Sequence, residues 1–185
     1  VDIYWSVRDL DSGFGILGNH HFLQIELDTN PEYLSDYMVD LENGNFGFTL
    51  GAADEDKLDA YINDNADLKA IAEVGNEKIL SPDYDLESHK IDIPSEKSSG
   101  EFLFDIIEAW EYYNRYEQEN PVDYDVGGND WFDFNNSSGN CATWVNSILA
   151  YVGISQEDRE EYGEFSGIDW GEEELIDFSY FGEIA

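Results

Sequence analysis

The stretch Asn136-Ser137-Ser138-Gly139-Asn140-Cys141-Ala142-Thr143-Trp144-Val145-Asn146-Ser147-Ile148-Leu149 decides how the chain is read, because it sets the only cysteine at the start of a helix. The Ser/Asn cluster supplies N-cap candidates, whose side-chain oxygens accept the first helical N–H groups. Val145, Ile148, Leu149 and Val152 then recur at helical spacing until Gly153 stops the run. Trp144 and Val145 follow Cys141 by three and four positions, so the thiol belongs to the same inward stripe. At a helix N-terminus, unpaired N–H groups and the helix dipole favour a thiolate.

A lone cysteine also fits a small buried hydrophobe, and what separates that reading from a nucleophile is a base. The chain holds three histidines, His20, His21 and His89, and two of them open the strand-like run His20-His21-Phe22-Leu23-Gln24-Ile25-Glu26-Leu27. Alternation puts Leu23, Ile25 and Leu27 on one face with His21, and His20, Phe22, Gln24 and Glu26 on a more polar face, where a cleft would lie. His20 is therefore the expected base and His21 the alternative. His89, between Ser88 and Lys90, reads as a half-buried residue without chemistry.

Working outward, 185 residues suit a single domain, 1–185, with a sizeable core. A 42% hydrophobic and 15% aromatic composition is too apolar for a disordered acidic tail. The charge is extreme: eight Lys+Arg against 43 Asp+Glu give a formal −35. Such a body should repel nucleic acid and anionic membrane surfaces and suits a basic protein partner, a high-salt habitat or a cation-rich secretory setting. One cysteine excludes intrachain disulfides, and no apolar run approaches the roughly 18 residues of a membrane span. The chain opens on a strand, Val1-Asp2-Ile3-Tyr4-Trp5, with no signal-peptide pattern, as expected of an excised domain or processed product.

Val1–Val7 reads as the first strand, Asn45–Leu50 as the strand after the histidines, stopped by Gly51 and paired antiparallel with them, and His89–Ile93 as another. Leu58, Ile62 and Ala66 suggest helical spacing across 54–73, broken at Asn63-Asp64-Asn65. Leu103, Ile106, Ile107, Trp110 and Tyr113 mark an amphipathic helix over 101–119, ended by Pro121, and Ser155 caps a short helix over 156–162.

Other chemistries have weaker signals. Gly13-Phe14-Gly15-Ile16-Leu17-Gly18 matches a dinucleotide loop, but a strand follows it where a phosphate-facing helix is needed. Asn63–Asp67 and Asp123–Gly128 hint at calcium loops without the glutamate at the twelfth position. Two adjacent strand histidines point to opposite sides and cannot share a zinc ion with the single cysteine. Among 43 acidic residues some pair lies close by chance, so paired carboxylates carry no signal for glycoside hydrolysis. No cofactor or metal is expected.

Gly18-Asn19-His20-His21-Phe22-Leu23, followed far downstream by Asn140-Cys141-Ala142-Thr143-Trp144-Val145-Asn146, resembles the circularly permuted branch of the NlpC-type papain-like superfamily, in which the histidine strand precedes the cysteine helix. Lecithin:retinol acyltransferase-like proteins and secreted bacterial amidase effectors share that order. The resemblance implies an α+β papain-like fold with an antiparallel sheet packed against the cysteine-bearing helix. It implies Cys141 as nucleophile and His20 as base. It also implies a third polar residue on the strand after the histidines, where Asn45 and Thr49 are the candidates, with Asn140 as a supporting residue. The implied activity is cysteine-dependent amide hydrolysis of peptidoglycan-type peptides by a secreted or periplasm-delivered effector, with an immunity protein as a possible partner. An acyltransferase or thioesterase using the same Cys–His pair, and a non-enzymatic acidic protein that binds a basic partner, are the competing expectations.

Overall fold

A computed structural model describes residues 1–9, 19–41, 45–53, 57–75, 86–124, 138–165 and 175–182. The glycine loop expected at 13–18, the turn expected at Asn43-Gly44, the strand expected at Ile79-Leu80, the turn expected at 81–83 and all of 125–137 lie outside the described residues.

In chain order the elements are β1 (Asp2–Asp9), β2 (Asn19–Leu27), β3 (Val39–Asp40), β4 (Phe46–Ala52), β5 (Ala60–Ile62), α1 (Asn65–Gly75), β6 (Leu86–Lys90), α2 (Ser99–Tyr116), β7 (Asp123–Tyr124), β8 (Ser138–Gly139), α3 (Cys141–Tyr151) and α4 (Gln156–Tyr162). The connection after β2 carries a 3-10 turn at Glu32–Leu34, and a second lies at Phe178–Tyr180. Six strands form one antiparallel sheet in the order β3-β4-β2-β1-β6, with β5 also paired to β4, while β7 and β8 make a separate parallel pair. The fold is α+β, with the expected antiparallel pairing of β2 and β4.

The sheet is covered on both faces. Ile3, Trp5, Leu23, Ile25, Phe48 and Leu50 join Phe102, Ile106, Trp110, Trp144, Val145 and Ile148 in the main core, so α2 and α3 lie on that face. On the other face Phe22 packs with Leu41 and Ile71, beside Leu68, beneath α1. The face that alternation marked as polar is thus closed over where it carries His20, and every residue from His20 to Ile25 is buried.

The helices begin where capping chemistry places them. Ser98 makes a capping box with Glu101 at the start of α2, Asn140 accepts from Thr143 N–H at α3, and Ser155 accepts from Asp158 N–H at α4. α3 is buried from Cys141 through Leu149, polar residues included. Ser147 donates to Thr143 O and accepts from Ile176 N–H, and Arg159 donates to Asn146 Oδ1, whereas the buried Trp144 indole N–H has no hydrogen-bond partner among the described residues.

Two expectations need correction. Residues 60–62 form a strand, because Ala60, Tyr61 and Ile62 pair with Ala52, Gly51 and Leu50 along an edge of β4, and helix begins only at Asn65. Gly51 does not stop the preceding strand, which runs through it to Ala52. The helical spacing of Leu58, Ile62 and Ala66 arose by coincidence across a strand, a turn and a helix start. At that turn Asn63 sits at φ 55°, its side chain accepting from Thr49 N–H and donating to Tyr37 O.

Candidate active site

Cys141 is the first residue of α3, and its Sγ lies 3.8 Å from the carbonyl oxygen of Asn19, the first residue of β2. The thiol therefore meets the sheet where the histidine strand begins. His20 engages it by a side-chain hydrogen bond, and both groups are almost wholly buried, at 4% and 3% exposure. Asn140 closes the helix start: its Oδ1 accepts from the Thr143 backbone N–H at 3.0 Å and from the Thr143 hydroxyl at 3.3 Å. Helix geometry leaves the N–H groups of Cys141 and Ala142 without intrahelical acceptors.

Behind His20 lies a polar cluster from three further elements. His20 Nε2 is 2.5 Å from Tyr61 Oη and 3.6 Å from Asp67 Oδ1. Tyr61 donates to Asp67 Oδ2 at 3.0 Å, and Arg8 Nε donates to Asp67 Oδ1 at 2.7 Å. Arg8 reaches the cluster because it is the direct cross-strand partner of His20 on β1. Asp67 lies in the first turn of α1, which Asp64 starts by accepting from Ala66 N–H at 2.8 Å. The acids of 63–67 thus cap a helix and hold Arg8 and His20.

Burial of the thiol favours its neutral form, but the hydrogen bond and charge of His20, with His21 nearby, outweigh burial and push the Cys141 pKa down to about 6. For His20, burial likewise favours the neutral ring, and the Asp67 carboxylate and Cys141 beside it overcome burial and push the pKa up to about 9. Burial would raise the Asp67 pKa, but the His20 ring and the hydrogen-bonded Arg8 guanidinium hold it below its ordinary value. Between those limits the stable arrangement is thiolate beside imidazolium, backed by a carboxylate that Arg8 keeps ionised.

The sequence candidates separate cleanly. Cys141, His20 and Asn140 come together. His21 is turned away as a base, because its Nδ1 accepts the Trp5 indole N–H at 3.0 Å and its ring packs edge-on against Trp5 and Phe165. Asn45 donates to Glu26 Oε2, and Thr49 pairs across the sheet with Gln24, four residues along β2 from His20. The group behind His20 is Asp67 with Tyr61, on elements that follow the strand where a third residue was sought. His89 binds the Tyr162 carbonyl at 2.7 Å and stacks on Phe165, outside this cluster.

Among the described residues no group of three His, Cys, Asp or Glu side chains could hold a metal ion, and no helix is long and apolar enough to cross a membrane. Comparison with protein-family models, curated proteins and solved structures finds no match to this chain.

Proposed function

We propose that the chain is a cysteine hydrolase of papain-like type that cleaves amide bonds, with Cys141 as nucleophile and His20 as general base and acid. The observation that carries this reading is the hydrogen-bonded Cys141–His20 pair at a helix N-terminus, backed by Asp67. The thiolate attacks the amide carbonyl carbon, and charge develops on the carbonyl oxygen. The Cys141 and Ala142 N–H groups are the donors available to it, supported by the helix dipole. His20 imidazolium gives its proton to the leaving amine nitrogen as the C–N bond breaks. Water, deprotonated by the now neutral His20, then attacks the thioester, and the carboxylic acid leaves with Cys141 restored.

The substrate class follows from the order of histidine strand and cysteine helix, shared with secreted bacterial amidases, and is peptidoglycan peptides. Under this reading the protein acts on the cell wall after secretion or delivery to the periplasm, and its acidic surface suits a basic immunity partner. Cys141→Ala and His20→Ala should each lower muropeptide cleavage at least 10³-fold, on the order expected for loss of a nucleophile or its base, while leaving far-UV circular dichroism unchanged. Wild-type activity in either variant sinks the mechanism. Turnover of acyl thioesters with inert muropeptides moves the assignment to an acyl-directed enzyme with the same pair.

A further inference from the structure

The strand order places β4 between β5 and β2, so Tyr61 on β5 must cross β4 to reach His20 on β2. It crosses at Gly51, its own cross-strand partner. A Cβ on Gly51 would stand 2.2 Å from Tyr61 Oη and 2.4 Å from Tyr61 Cζ, far inside contact distance. We propose that Gly51 and Tyr61 act together as a positioning device: the bare α-carbon of Gly51 opens the slot through which the Tyr61 hydroxyl bridges His20 Nε2 to Asp67. The proposal rests on the reading of His20 as the base of Cys141.

The bridge also decides which nitrogen of His20 exchanges protons. Tyr61 has one hydroxyl proton, and it is donated to Asp67 Oδ2, an ionised oxygen that only accepts. Toward His20 the phenol oxygen therefore offers lone pairs alone, and the 2.5 Å contact requires Nε2 to be the donor. Nε2 keeps its proton whether the ring is neutral or charged. Nδ1 is left as the atom that takes the proton from Cys141 Sγ and later releases it, while the protons on Nε2 and Tyr61 stay in place. Asp67 alone, at 3.6 Å from Nε2, is too distant for a good hydrogen bond, so Tyr61 carries its influence to the ring.

The test is ¹⁵N NMR of histidine-labelled full-length chain, with His20→Gln assigning the signal. Wild-type neutral His20 should be the Nε2–H tautomer. Tyr61→Phe keeps the ring and removes the oxygen, and should lower the His20 pKa by about one unit, a tenfold loss of proton affinity, and mix the tautomers. Gly51→Ala should do the same by displacing the hydroxyl. The double variant should shift no further than Tyr61→Phe alone, because both break one bridge. A purely packing role would lower the melting temperature and leave the titration unmoved. A neutral Nδ1–H ring in the wild type, or an unshifted His20 in a folded single variant, overturns the proposal; if Gly51→Ala fails to fold, Tyr61→Phe decides. No substrate enters this readout, so absence of amidase activity sinks the proposed function without altering this result.

Discussion

Asp67 is the residue on which the charge balance of the site turns. It is fully buried between the Arg8 guanidinium and the His20 ring, and it bonds the phenol that touches that ring. The Cys141–His20 pair should give a bell-shaped kcat/KM profile, rising as the thiol ionises near pH 6 and falling as the imidazolium is lost near pH 9. Asp67→Asn removes the charge that favours imidazolium, so the upper limb should move down and the lower limb up, narrowing the bell from both sides. Among the described residues the same change leaves buried Arg8 with only the Asp64 carboxylate, 3.7 Å away, and should cost about 3 kcal/mol of unfolding free energy in urea. The linkage sign follows from the lowered Asp67 pKa: its contribution is full above the ordinary carboxylate range and is lost as pH falls through the folded value. A bell of unchanged width in Asp67→Asn removes this residue from the mechanism. Sequence alone could not single out Asp67, because 43 acidic residues offer a neighbour to every base and nothing in its own segment differs from a solvated turn.

At the scale of elements, α3 holds Cys141, the proposed nucleophile, in register through its cap. Asn140 accepts both the backbone N–H and the hydroxyl of Thr143, so Asn140→Ala strips two bonds from a buried helix start. The expected cost is about 1–2 kcal/mol in chemical denaturation, with a lowered rate of Cys141 alkylation at neutral pH as the first turn loosens. A variant as stable and as reactive as the wild type shows that the cap is dispensable. The starts of α3 and α4 are legible from sequence because each is written locally, Asn140 before Cys141 and Ser155 before Gln156, while the apolar pattern begins α2 at 101 and passes over the capping box of Ser98 with Glu101 that starts it at Ser99. The segment after β4 is not legible, because its pattern of apolar residues fits helix while its fate is set by β4, which offers an edge to Ala60–Ile62. The polar face on which alternation sets His20 is not what gives the ring its chemistry. That face is buried under α1, and what makes the ring useful is the hydrogen-bonded cluster enclosed there.

On the scale of the whole molecule the dominant quantity is the formal charge of −35. The described ion pairs are few against it: Arg8 is committed to Asp67, and the more exposed pairs Lys90–Asp2 and Lys97–Asp105 are screened by solvent and add little. Repulsion among the remaining carboxylates opposes the compact state and acts over roughly 30 Å in 0.01 M salt but only about 3 Å in 1 M. Screening also weakens the exposed pairs, yet eight cations against 43 acids leave far more repulsion than attraction to screen. Raising sodium chloride from 0.01 M to 1 M should therefore raise the melting temperature, by at least about 2 °C if 1 kcal/mol or more of repulsion is removed. Potassium chloride should act equally, since screening depends on ionic strength and not on the cation. A buried Cys141–His20–Asp67 cluster is shielded from that solvent, so its titration limbs should hold nearly still over the same range. Scanning calorimetry beside alkylation-rate profiles separates the two: a melting temperature that falls with salt puts the exposed pairs in control of stability, and limbs that move with salt place the cluster in contact with bulk water.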